Sequence, residues 1–265
     1  MKDREDLQKL AATGDLHALV EAMGHSQPFM RLAASDLLAT QGGSAFPYLV
    51  EALSNDNPDI RKGAARALGI LGDRRAVRPL LDRLEKESSG VSQFVVDALA
   101  DIGDPQVVGE LCKATRSHSL SLRYSAVRAL GKLGDRKAIP FLVEALSDSA
   151  SIVRLRAVES LSRMDEPSLW APISEMLGDS SAGVRAVAAR ALGDMHSLRA
   201  IDCLLPMLES DIESDILEAA RSLGRIGSDR AIEPLLSAQA REGRDKVLEA
   251  IVAALQAIGE GGGDD

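Results

Sequence analysis

Residues 61–85 read RKGAARALGILGDRRAVRPLLDRLE, and residues 123–148 read RYSAVRALGKLGDRKAIPFLVEALSD. The two stretches are near copies, and the same spelling returns along the chain. One leucine marks each copy: Leu38, Leu68, Leu99, Leu130, Leu161, Leu192, Leu223 and Leu255, with successive gaps of 30, 31, 31, 31, 31, 31 and 32 residues. A fixed period of this size is the signature of a small unit stacked on its own copies.

Around the mark, apolar residues recur at three and four, as in Ile60, Ala64, Ala65, Ala67, Leu68 and Leu71. That spacing predicts one face of an α-helix. The small residues at its centre let neighbouring helix axes approach closely. A glycine four places after the mark predicts the helix end at Gly42, Gly72, Gly103, Gly134, Gly227 and Gly259. Asp73, Asp104 and Asp135 follow and are placed to cap the next helix. That other helix carries a proline in its first turn (Pro79, Pro140, Pro172, Pro234) and an apolar face such as Ala76, Val77, Leu80, Leu81 and Leu84. The expectation is one all-α domain over 1–265: a capping helix at 3–13, eight two-helix repeats over 15–258, and a disordered tail at 259–265.

Of 265 residues, 45% are hydrophobic, 27% charged and only 3% aromatic, which predicts a folded, soluble chain with an aliphatic core. A net charge of −9 argues against nucleic-acid binding by the surface as a whole. Cys112 and Cys203 lie about three repeats apart and are read as reduced, which points to the cytoplasm. The polar opening MKDREDLQKLAATGD has no apolar signal-peptide core, and no apolar run reaches the ~20 residues of a membrane helix.

Catalytic chemistry finds little support. His17, His25, His118 and His196 fall at unrelated places in the repeat, with no i, i+4 pair, no His-Glu dipeptide and no C-x-x-C. Trp170 occupies a position held elsewhere by Val77, Val108, Ile139, Ile201 and Ile232, so it reads as core. The glycines of GILGD and GKLGD end helices and lack the G-K-[ST] of a phosphate loop. No catalytic, cofactor or metal site is expected.

The repeat spelling V-R-x-x-A-A-x-A-L-G-x-x-G-D-x-R-A-(x)-x-P-L-x-x-x-L resembles the short HEAT-like repeat of E/F-type phycobilin lyases and of many prokaryotic HEAT-repeat proteins, over residues 15–258. The resemblance implies a right-handed α-solenoid whose second helices line a concave, partner-holding side. HEAT-repeat hydroxylases similar to deoxyhypusine hydroxylase carry repeated His-Glu pairs, which are absent here.

On a helical wheel, the solvent stripe of the second helix lies at offsets −6, −5, −2 and +2 from the mark. It begins with Leu32, Asp36, Arg66, Ile70, Phe94, Asp97 and Asp101. Across the middle repeats it supplies Phe94, Tyr124, Arg128, Lys132, Leu155, Arg156, Arg163, Val187, Arg190, Leu217, Arg221 and Arg225, the predicted partner-binding residues. Units four to seven hold seven cations on it (Arg128, Lys132, Arg156, Arg163, Arg190, Arg221, Arg225) against three anions (Glu159, Asp194, Glu218). The expected function is a non-enzymatic scaffold or adaptor that holds a protein or peptide on this face, an acidic one if the positive charge stays open. A second reading takes several of these arginines as repeat spelling (ARAL, VRAL, ARSL), paired along the stripe with those anions. The functional alternative is a bilin lyase or isomerase subunit, or a chaperone-like bilin binder.

Arg31, Arg61, Arg123, Arg154 and Arg185, seven places before the mark, follow turn aspartates such as Asp56, Asp148 and Asp179 and predict a structural ladder, broken at Ser92, Ile216 and Leu248. Asp165 and His196 replace the terminal glycine in units five and six and predict altered turns there, from a functional edge or from drift.

Overall fold

The computed structural model describes residues 4–86, 89–164 and 166–261, and all regular structure among them is helical. The chain divides into two compact units, Met1–Ala138 and Ile139–Asp265. The first holds α1 (Arg4–Thr13), α2 (Leu16–Ala22), α3 (Pro28–Thr40), α4 (Phe46–Ala52), α5 (Pro58–Leu71), α6 (Val77–Lys86), α7 (Ser89–Ile102), α8 (Val108–Ala114) and α9 (Leu120–Leu133). The second holds α10 (Ile139–Glu144), α11 (Ser151–Ser162), α12 (Trp170–Glu175), α13 (Ala182–Asp194), α14 (Ile201–Leu204), α15 (Glu213–Ile226), α16 (Ile232–Arg241) and α17 (Asp245–Gly261).

Each unit is a row of helix pairs, the α-solenoid arrangement. In the first, α3, α5, α7 and α9 pack side by side in chain order, and α2, α4, α6 and α8 each cover the helix that follows. The second repeats this with α11, α13, α15 and α17 under α10, α12, α14 and α16. Helices this short are marginal alone in water, so the buried face must hold them. Leu38, Leu68, Leu99, Leu130, Leu161, Leu192 and Leu223 are fully buried. Leu255 is half-buried, with Ile251 and Ile258 filling its place in the core.

The connections follow from local chemistry. Gly72 ends α5 in the left-handed state, φ 69°, and its N–H bonds back to the Leu68 carbonyl. Asp73 then accepts from the Arg75 N–H at 2.9 Å and starts the 3-10 turn that leads into α6. Asp104 with Gln106 and Asp135 with Lys137 repeat the device at 2.9 Å each. Gly259 departs from the expectation: α17 runs through it to Gly261, so residues 259–261 are helix, and 262–265 lie outside the described residues. His196, at φ 47°, is the one non-glycine with positive φ among the described residues, and Asp165 lies outside them.

Consecutive second helices bring backbone against backbone at three glycines. A Cβ built on Gly69 would stand 2.9 Å from Ala98 Cα, one on Gly193 2.9 Å from Ser222 Cα, and one on Gly224 2.8 Å from Ala254 Cα. Each pair places the residue after one mark against the residue before the next. Backbone lies on the far side of each contact, so no rotamer change can make room for a methyl group.

The arginine ladder sits on the turns. Nη1 of Arg31, Arg61, Arg123, Arg154 and Arg185 donates to carbonyls five and six residues earlier, for example Arg61 to Asn55 at 2.8 Å and Asp56 at 2.9 Å. Where an acid is available the other edge of the fork reaches the next repeat: Arg154 binds Asp179 at 2.6 Å and Arg185 binds Asp215 at 3.0 Å. Position −7 is Leu248 in the last repeat, and there Arg244 reaches back to the Asp211 carbonyl at 3.4 Å instead. The Arg154 guanidinium beside Asp179 holds its carboxyl below the usual carboxylate range.

Two outcomes follow. Gly224→Ala lowers the melting temperature by several degrees, because overpacking costs about 1–3 kcal/mol and outweighs a helix-propensity gain of about 1 kcal/mol. Gly259→Ala, with open space at its Cβ, leaves it equal or higher. Thermal melts of both proteins check this, and a rise for both contradicts the close approach.

Asp179 is only 5% exposed, and removing one partner of a buried pair costs about 3 kcal/mol. Its lowered value favours the charged form in the fold, so its contribution is present above the ordinary carboxylate value, about 3.9, and fades as pH falls through the lower folded one. Asp179→Asn therefore lowers stability at pH 7 and gives up less of it than wild type between about pH 4 and pH 2. Urea unfolding at both ends of that range checks the sign.

Candidate interaction surfaces

The solvent stripe of the Met1–Ala138 unit forms a groove. One cavity of about 280 Å3 is lined by Leu32, Arg66, Phe94, Asp97, Asp101, Arg128 and Lys132 among others. A second, of about 240 Å3, shares Leu32, Arg66 and Phe94 and extends to Pro28, Asp59 and Lys62. Leu32 and Ile70, both on the stripe, are each 50% exposed, a high value for large aliphatic side chains. Phe94, which lines both cavities, is half-buried.

Charge along this groove is paired from repeat to repeat. Asp36 holds Arg66 at 2.8 Å, Asp97 holds Arg128, and Asp101 holds Lys132. Burial pushes the Asp97 carboxyl up, with Asp101 adding to the push, against the hydrogen bond from Arg128. The groove is thus an apolar floor between closed ion pairs.

In the Ile139–Asp265 unit, Arg156 is bound to Glu159 at 2.6 Å, Arg221 to Glu218 at 3.1 Å and Arg225 to Asp194 at 3.0 Å. Of the seven stripe cations, only Arg163 and Arg190 have no ion pair among the described residues. This corrects the expectation of open positive charge. The excess came from counting units four to seven, which omits Asp97 and Asp101 of unit three. Leu155 and Leu217 are half-buried, and so is Tyr124 in the first unit, which lines neither cavity.

Val187 is a second correction, since it is buried. Its offset, −5, faces the preceding repeat. A Cβ built on Gly63, at the same offset, would meet Met23 Sδ at 2.6 Å and Ser35 Oγ at 2.9 Å. Ser125 and Ala250, also at −5, are buried. The stripe open to a partner therefore runs mainly at −6, −2 and +2, with Phe94 the −5 side chain that is half-buried and still lines the groove.

Trp170 is the third correction. It is half-buried, not core, and lines a cavity of about 710 Å3 between the turns after α11 and α13. The Arg199 guanidinium lies over its ring, 5.9 Å from the centroid. Cys112 is buried, and burial pushes its thiol up, away from the reactive thiolate. Cys203 is half-buried and free. No group of three or more His, Cys, Asp or Glu among the described residues is placed to hold a metal ion. No described helix is long and apolar enough to cross a membrane.

Comparison with known proteins agrees with this architecture. A model of HEAT repeats matches residues 16–93, 77–162, 141–220 and 171–256. Phycocyanobilin lyase subunit beta of Pseudanabaena tenuis is 38% identical over 80 residues, which is 29% of this chain and 28% of that one. Among solved structures, the YibA protein of Escherichia coli matches over 97% of both chains with a TM-score of 0.66 at 18% identity. An engineered protein matches over 97% of this chain and 81% of its own, with a TM-score of 0.55 at 20% identity. At such identities the structures speak for the fold alone. With its repeats matched from residue 16 to residue 256, the chain belongs to the HEAT-repeat family.

Proposed function

We propose that this HEAT-repeat chain is a non-enzymatic scaffold that holds a protein or peptide partner in the groove of its Met1–Ala138 unit. The observation that carries the reading is the coincidence, in one groove, of half-exposed Leu32, the Phe94 ring and closed ion pairs, with half-exposed Ile70 on the same stripe. Interfaces of this make-up draw affinity from apolar anchors, while the rim pairs set register. Leu32, Ile70 and Phe94 are the anchors. Arg66, Arg128 and Lys132 answer to carboxylates of their own chain, so the partner's contribution at this face is apolar. The free thiols fit a reducing compartment such as the cytoplasm.

A photo-crosslinking amino acid at Leu32 tests this in extract of the native host. A discrete adduct is expected from Leu32 and none from Arg78, which is exposed on α6. Ile70→Glu is expected to cut the Leu32 adduct about tenfold, since losing a buried aliphatic contact and burying a charge costs more than ~1.4 kcal/mol. Equal adducts from both positions, or no effect of Ile70→Glu, overturns the reading.

The lyase relative favours a second reading, a bilin-binding role, through its 80 matched residues. Phycocyanobilin titrated into the protein is then expected to give a saturable shift in its visible absorbance. A spectrum identical to that of free bilin removes this reading and leaves the scaffold untouched.

A further inference from the structure

The turns that close units five and six depart from the repeat together. The glycine that follows α5, α7, α9 and α15 in the left-handed state is replaced by His196 after α13, and the backbone there keeps that state, φ 47°. A side chain with a Cβ holds this state at some cost, less for histidine than for most residues, and such outliers gather at functional sites. Glycine would be easier, so the position carries an imidazole at the price of strain. The cavity of about 710 Å3 lies against this turn, within the size range of sites for small ligands and short segments.

Its lining mixes two kinds of surface. Trp170 offers a ring face, and Leu198 is 62% exposed, the most of any large hydrophobic residue in the described chain. Arg163 and Arg199 are exposed cations with no carboxylate partner among the described residues. The acids beside them are engaged elsewhere: Asp194 holds Arg225 at 3.0 Å, and Glu166 accepts from the Ser168 hydroxyl at 3.0 Å. Of the seven stripe cations five are ion-paired, Arg163 and Arg190 are not, and Arg163 is joined in this cleft by Arg199 from the turn after α13.

We propose that this cleft is a second binding site, independent of the first-unit groove, and that it takes an acidic peptide segment. A carboxylate of the segment bridges Arg163 and Arg199, and an adjacent aliphatic side chain lies on Trp170 and Leu198. The planar guanidinium fork suits a carboxylate, and a neighbouring apolar wall strengthens the pairing by excluding water. A longer polyanion such as single-stranded nucleic acid, which would reach beyond the two arginines, is disfavoured by the chain's net charge of −9.

Trp170 is the only tryptophan in the chain, so its indole N–H gives one NMR signal that reports on the cleft. The full-length protein is titrated with the capped peptide Ser-Glu-Leu-Asp-Leu-Ser and with its amide counterpart Ser-Gln-Leu-Asn-Leu-Ser. The acidic peptide is expected to shift the signal saturably below about 5 mM, and the amide peptide at least tenfold more weakly. Arg163→Gln and Arg199→Gln each weaken the acidic peptide about tenfold with unchanged circular dichroism, while Lys246→Gln, on exposed α17 surface, does not. No saturable shift by about 5 mM, equal affinity for both peptides, indifference to the arginine substitutions, or tighter binding of an oligothymidylate each overturns the proposal. Leu32 crosslinking is read separately, so failure of one site leaves the other standing.

Discussion

The contact on which everything else in this chain depends is the meeting of second helices at glycine and alanine. Where Gly69 faces Ala98, Gly193 faces Ser222 and Gly224 faces Ala254, the backbones are separated by no side chain at all. Such proximity fixes three things together. It sets the distance between repeats, it buries −5 side chains such as Val187 and Ser125, and it aligns equal offsets of successive repeats side by side. A side chain two places before one mark therefore faces its counterpart two places before the next.

That alignment governs the electrostatics. Asp36 meets Arg66 and Asp97 meets Arg128 because both members occupy −2, and Asp101 meets Lys132 because both occupy +2. Each exposed pair is worth only about 0–1 kcal/mol to stability. Their larger effect is to cancel charge along the groove, so that apolar surface is what remains to offer a partner. Arg163 and Arg199 escape this pairing at the turns, where the repeat spelling itself changes.

Much of this was legible in the residues. The period of 31 and the marked leucines follow from laying the copies end to end, and the glycine that ends α5 and the aspartate caps follow from one repeat alone, because each rests on interactions within a few residues of chain. The arginine ladder was legible for the same reason, its carbonyl partners lying five and six residues away. What escaped depends on neighbours a whole repeat away. Arg128 reads as free charge until Asp97, 31 residues earlier, is laid beside it. Val187 reads as solvent-facing until the preceding repeat covers it. Trp170 reads as core by analogy with Val77, but it borders the cavity between the turns after α11 and α13. The same spacing that revealed the fold could have revealed the pairs, by comparing equal offsets in adjacent repeats.

The account therefore turns on which offsets face water. Hydroxyl-radical footprinting of the intact protein reads that directly, residue by residue. The account predicts rapid oxidation of Leu32, Ile70 and Leu198, with Val187 and the marked leucines Leu68 and Leu192 protected. Val187 reacting as fast as Leu32, or Ile70 as slowly as Leu68, would contradict it.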